Sequence, residues 1–192
     1  MRMKEPYEAY LDDYNCLDVY MSKNFFGGES RIFHMKDTKN RIIPLTIQSR
    51  CDLYNGFTHY QLSLNGTLNV GEEYLVFDEH CKTCAAKYSH IVKTERFAKE
   101  FTYDKDDLGV TYTPKQTTFK VWAPTALSVS VGYVLNGNKQ VVALKREEHG
   151  VFALTIKKDL NGAHYSYLVR VNGEYKGVTD PYTCFTGANS QY

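Results

Sequence analysis

Three groups of residues in this sequence carry side chains that could do chemistry. The first is His80-Cys81-Lys-Thr-Cys84, with His90 beyond it. Cys-x2-Cys is a zinc-ligand spacing, and the same pair could serve as a redox dithiol. No second Cys-x2-Cys accompanies it, His80 adjoins Cys81 directly, and no βαβ pattern surrounds it. The window reads as a hairpin turn running into a strand, where thiols act as small apolar side chains. The expectation is no metal and no cofactor. The second group is the adjacent carboxylates Asp12-Asp13 and Asp106-Asp107. General acid–base work needs two groups converging on one point. Neighbours in an extended chain point to opposite sides, so both pairs read as solvated loop residues. His149 and His164 have no acid at a telling spacing and read as surface or strand residues. No catalytic residue is expected. The third group is aromatic: Trp122, the single tryptophan, and Tyr175, just after a turn signal. An exposed aromatic either stacks on a ligand ring or packs on a neighbouring element.

The composition narrows the setting. The chain has 192 residues, with 23 Lys+Arg against 22 Asp+Glu and a formal net charge of +1. A nucleic-acid binder would show a basic excess. No apolar run approaches the ~20 residues of a membrane span. The first ten residues, MRMKEPYEAY, lack the apolar core of a secretory signal. The cysteine count is odd: Cys16, Cys51, Cys81, Cys84 and Cys184. Together these features predict reduced thiols and a cytoplasmic location, with neither nucleic acid nor membrane as partner.

The elements that position these residues repeat every two residues. Leu17–Met21, Ser30–Met35, Arg41–Ile47, Thr58–Leu64 and Glu73–Phe77 read as strands in the first half. Gly27-Gly28, Lys39-Asn40, Asn55-Gly56 and Asn65-Gly66 punctuate them. In the second half four runs place alternate residues on one face: Phe119, Val121 and Ala123; Leu127, Val129, Val131 and Tyr133; Phe152, Leu154 and Ile156; Tyr165, Tyr167, Val169 and Val171. Asn172-Gly173 and Asn136-Gly137 are two-residue hairpin signals, because both central residues of a type I′ turn need positive φ. Glu95–Glu100 offers at most one helical turn. The acidic stretch Tyr103–Gly109 is poor in core residues and reads as a linker or incoming loop. The expected fold is all-β: two consecutive antiparallel β-sandwich domains, at 1–102 and 103–192. That length is short of the ~250 residues of a (β/α)8 barrel.

The order of motifs resembles a known family. Tyr103-Asp-Lys-Asp-Asp-Leu-Gly-Val-Thr-Tyr-Thr113 leads into Thr117-Thr-Phe-Lys-Val-Trp-Ala-Pro-Thr-Ala126. Gly150-Val-Phe, Asp159-Leu-Asn-Gly-Ala-His-Tyr-Ser-Tyr167 and Thr179-Asp-Pro-Tyr182 follow. The set is similar to the immunoglobulin-like family-48 carbohydrate-binding module of type I pullulanases. Ala9-Tyr-Leu-Asp-Asp-Tyr-Asn15, Ser22-Lys-Asn-Phe-Phe26, Gly71-Glu-Glu-Tyr-Leu-Val-Phe-Asp-Glu-His80 and Lys93-Thr-Glu-Arg-Phe97 resemble the N-terminal domain of the intracellular members. These enzymes are family-13 glycoside hydrolases.

The resemblance implies a parent enzyme that hydrolyses α-1,6-glucosidic bonds in pullulan, glycogen and branched dextrins. Its two working carboxylates would sit on a (β/α)8 barrel that this chain lacks. None of that barrel's motifs occurs here, so the 192 residues are expected to be inactive alone. Trp122, Asp180, Pro181 and Tyr182 are implied as contacts to the absent C-terminal catalytic barrel or its linker, and Trp122 and Tyr175 as substrate-binding candidates. Glycogen-binding relatives of the module carry a stacking aromatic after the hairpin turn, where Tyr175 stands. Their lysine falls at Leu168, and their second stacking tryptophan falls near Asn136–Lys139, where no aromatic occurs. The other reading is a free-standing glucan-binding or scaffold module.

Overall fold

The computed structural model describes residues 5–182. Cys184 lies outside them. The chain divides into two compact units, 1–99 and 100–192.

The first unit holds β1 (Tyr7–Asp13), β2 (Cys16–Ser22), β3 (Phe33–Lys36), β4 (Ile42–Asp52), β5 (Phe57–Leu64), β6 (Leu75–Asp78) and β7 (Thr83–Tyr88). Alternation decides which way each strand faces. Tyr7, Ala9 and Leu11 of β1 and Leu17, Val19 and Met21 of β2 point inward and are fully buried. The residues between them, Glu8, Tyr10, Asp18 and Tyr20, stay on the outer wall. The strand order β1-β2-β5-β4-β3-β6-β7 closes on itself. The closing seam is a parallel pairing of β1 with β7, Ala9 opposite Ala86 and Leu11 opposite Tyr88. The first domain is therefore all-β as expected, but its layers join into a barrel, and one pairing is parallel rather than antiparallel. Closure satisfies backbone groups that an open sandwich would leave at its edges.

Two buried tyrosines pin loops to this barrel. The Tyr60 hydroxyl donates to the Gly28 carbonyl at 2.8 Å and accepts the Ser30 amide at 3.0 Å. Gly28 has φ +75, and a Cβ there would run into Thr58 Oγ1, so only glycine fits beneath the loop. The Tyr7 hydroxyl lies 2.7 Å from the Lys82 carbonyl and 3.0 Å from that of Val76.

The helix α1 spans Glu95–Phe101, longer than the single turn expected. Thr94 starts it: its Oγ1 accepts the Phe97 amide at 3.2 Å, satisfying one of the unpaired first-turn donors.

The second unit holds β8 (Gly109–Thr113), β9 (Gln116–Trp122), β10 (Ser128–Leu135), β11 (Asn138–Ala143), β12 (Lys145–Arg146), β13 (Val151–Ile156), β14 (His164–Val171) and β15 (Glu174–Val178). They form two four-stranded antiparallel sheets, β11-β10-β14-β15 and β12-β13-β9-β8. The core between them contains Phe119, Val121, Val129, Val131, Tyr133, Phe152 and Tyr167, with Ala123, Leu154, Ile156, Tyr165 and Val169 packed against it. This is the antiparallel sandwich that the period-two runs predict, with the immunoglobulin-like character that the resemblance implies. Asn136 and Gly137 sit at φ 50 and 78, and Asn172 and Gly173 at 54 and 78, as type I′ turns require.

Tyr60→Phe leaves the Ser30 amide and the Gly28 carbonyl without their buried partner. It is expected to destabilise the first unit by about 1–3 kcal/mol. Urea unfolding, with a lowered midpoint at unchanged slope, checks this.

Candidate functional site

The outer face of the β11-β10-β14-β15 sheet carries Tyr175. Ladder register fixes its neighbours. Tyr175 stands opposite Arg170, which stands opposite Ser128; Leu168 stands opposite Gly177 and Ser130; Ser166 stands opposite Gly132, which faces Val141. Tyr175 is 60% exposed and Leu168 39%. The Arg170 guanidinium lies 5.4 Å from the Tyr175 ring centre, a cation–π contact that steadies the ring. Around this pair the face is low, because Ser128, Ser130, Gly132, Ser166 and Gly177 carry little side chain. A flat ring with adjacent hydroxyl and guanidinium donors can hold a flat polar ligand by stacking plus hydrogen bonds.

The remaining residues of the expected set do not gather here. Asn136–Lys139 form the β10–β11 hairpin. Its flanking residue Val134 pairs with His164, whereas the Tyr175 row pairs through Arg170 with Ser128. Six residues of strand separate the rows, about 20 Å. The loop lines its own hollow with Tyr133, Gln140 and Lys158.

The opposite sheet carries Trp122 on its outer face. Its indole Nε1 donates to the Phe101 carbonyl at 2.8 Å, and 39% of the residue stays exposed. His149 Nδ1 lies 3.0 Å from the Glu100 carbonyl. These are two of the carbonyls that the end of a helix leaves unpaired. Further on, Lys120 Nζ donates to Asp107 Oδ2 at 2.6 Å and to the Tyr103 hydroxyl at 3.3 Å; that hydroxyl donates to Asp107 Oδ1 at 2.6 Å. The acidic stretch Tyr103–Gly109, expected to be a linker or an incoming loop, is thus tied to the sheet at Lys120 through Tyr103 and Asp107. Nothing in the sequence spacing marks this triplet, since its members lie up to 17 residues apart.

The outgoing segment is tied at the end of the sandwich. Asp180 is 6% exposed. Its carboxylate accepts the Tyr165 hydroxyl at 2.7 Å and the Tyr182 amide at 2.9 Å. Pro181 is exposed and Tyr182 is 42% exposed. A Cβ on Gly109, at φ +94, would come within 3.0 Å of Tyr182 Cβ. The incoming strand β8 and the outgoing segment therefore touch.

The cysteine window does not assemble. Cys84 faces inward at 8% exposure, and burial pushes its thiol up to about 12. Cys81 sits exposed at φ 61 in the turn. The His80 ring stacks on Phe26 at 3.7 Å, and its Nε2 lies 3.0 Å from the Glu29 carbonyl. Among the described residues no three His, Cys, Asp or Glu side chains are arranged to hold a metal ion.

With this geometry in place, comparison with known proteins defines the class. Residues 7–93 match the pullulanase N1-terminal domain, and residues 107–183 match carbohydrate-binding module 48, the isoamylase N-terminal domain. The chain thus carries, in order, the pullulanase N1-terminal domain and module 48, the domain pair of the N-terminal regions of type I pullulanases. It is 27% identical over 190 residues to a Bacillus subtilis pullulanase, which covers 98% of this chain and 26% of that protein. The B. subtilis type I pullulanase complexed with maltose superposes with TM-score 0.85 at 27% identity, over 95% of this chain and 25% of that one. An Anoxybacillus pullulanase complexed with maltotriose gives TM-score 0.82 at 29% identity, over 92% of this chain and 25% of that one. The chain spans about a quarter of the length of these relatives.

The tie at Lys120 has a defined pH window. The Lys120 bond, then the Tyr103 bond, hold the Asp107 carboxyl below the usual carboxylate range. A carboxylate depressed in the folded state contributes stability above its unfolded value, about 3.9, and loses it as pH falls through the lower folded value. The tie is expected to persist down to about pH 4 and to release below it. A carbon-detected NMR titration of Asp107 should show a midpoint below about 3.9 that moves up in Lys120→Met.

Proposed function

We propose that this chain is a non-catalytic accessory segment of a cytoplasmic pullulanase, supporting a catalytic (β/α)8 barrel and presenting a surface to α-glucan. The observation that carries this reading is the ordered pair of domains, matched along nearly the whole chain to one quarter of each pullulanase. The parent enzyme would cleave α-1,6-glucosidic bonds in pullulan, glycogen and branched dextrins. Trp122 and the Asp180-Pro181-Tyr182 turn hold the module's incoming and outgoing chain, so they would set how the module is joined to the barrel.

Tyr175, with Arg170 against its ring on the open face, favours a second contribution, direct glucan contact. A free-standing glucan-binding module would rest on the same face.

Reducing-end release from pullulan separates these readings. The 192-residue chain alone is expected to release none, while a longer protein that joins it to a barrel releases them. Activity of the chain alone overturns the proposal. In calorimetric titration with maltooligosaccharides, Tyr175→Ala is expected to weaken binding about tenfold, roughly 1.4 kcal/mol. An unchanged affinity would remove this face from the account.

A further inference from the structure

The outer wall of the first unit carries a constellation that the pullulanase reading does not use. One cross-strand row runs Glu8, Tyr20, His59, Cys51 over β1, β2, β5 and β4. His59 Nε2 lies 2.8 Å from Asp18 Oδ1 and its Nδ1 lies 3.8 Å from Cys51 Sγ. The carboxylate therefore holds the proton on Nε2, which leaves the Nδ1 lone pair facing the thiol. The Tyr20 ring stacks on the imidazole at 4.7 Å and 17°, and Tyr10 braces Tyr20 edge-on at 5.9 Å. The base is thus oriented by one group and flattened by a second, while Cys51 stays exposed.

We infer that Cys51, with His59 as its base and Asp18 as the orienting carboxylate, is a reactive thiol that exchanges with low-molecular-weight disulfides. Thiol, base and orienting group stand in the order that activates a cysteine nucleophile. The Cys51 proton passes to His59 Nδ1, and the thiolate attacks one sulfur of the small disulfide. A bond forms between Cys51 Sγ and that sulfur as the small molecule's own S–S bond breaks. The departing thiolate takes the proton back from His59 and leaves as a thiol. Cys51 is oxidised, the small disulfide is reduced, and no further oxidant is needed. On the same wall a hollow of about 360 Å³ is lined by Asp18 and Tyr20 of the cluster with Glu8, Tyr10 and Phe57, while Cys51 and His59 stand outside its lining.

The other described thiols lack this arrangement. Burial, then the charges of Asp18, Asp12 and Asp13, raise Cys16. Cys84 is buried within the barrel. Cys81 is exposed, but its neighbour His80 is committed to Phe26 and the Glu29 carbonyl. The groups facing His59 are Asp18 and Tyr20 from β2, Cys51 from β4, and Phe57 and Gln61 on its own strand.

The test exposes the chain to glutathione disulfide at neutral pH and follows each cysteine by peptide mass. Cys51 is expected to be thiolated about tenfold faster than Cys81, and His59→Gln or Asp18→Asn to remove that advantage without altering the Cys81 rate. Well above the ordinary thiol value of about 8.5, where hydroxide ionises the thiol unaided, the H59Q and unaltered rates should converge. Both substitutions lie on the outer wall, and unchanged melting of either variant verifies the fold. Cys51 reacting no faster than Cys81, or at an unaltered rate in both variants, overturns the inference.

Discussion

The buried carboxylate of Asp180 is the point on which the second unit's ends depend. It has left water, and it accepts the Tyr165 hydroxyl from the start of β14 and an amide from the segment that leaves the sandwich. A buried carboxylate deprived of such donors is costly, so the outgoing chain is held where its amide can reach. Gly109 completes the contact from the incoming side, because any side chain there would press on Tyr182. Trp122, His149 and Lys120 then fasten residues 100–107 to the opposite sheet. The incoming and outgoing chain are parts of the sandwich rather than tethers to it.

That arrangement leaves the two outer faces unequal. One holds the module's own incoming chain against Lys120 and Trp122. The other, across β11-β10-β14-β15, presents Tyr175, Arg170, Leu168 and Val141 among serine and glycine positions. Small residues there do not stabilise the core, whose side chains come from the alternate positions of the same strands. Their placement leaves room for a flat polar ligand beside the Tyr175 ring.

Much of the architecture was legible in the sequence. The alternation of Phe119 with Val121, and of Tyr165 with Tyr167, defined the inner faces, and the Asn-Gly turns acquired the positive φ values their chemistry demands. What escaped the sequence depends on register between distant strands. The parallel seam of β1 with β7 joins residues 77 apart, Ala9 and Ala86. The edge strand β11 opens with Asn138-Lys139-Gln140 and is exposed along nearly its whole length, so it shows no alternation. Trp122 reads as an outward aromatic, but its partner is a helix-end carbonyl that no side-chain pattern announces. Asp18, Cys51 and His59 are unremarkable until β2, β5 and β4 set them side by side. Conversely, the one local motif with chemical spacing, Cys81 and Cys84, is divided by the strand's own alternation into an exposed turn and a buried wall.

The central claim is that the module carries its incoming and outgoing segments as structural parts. Native-state hydrogen exchange at the Tyr182 amide and the Trp122 indole tests it most directly. Both are expected to exchange only with the opening of the sandwich core, at rates matching core amides such as Val131. Free exchange at either position while the core stays protected would contradict it.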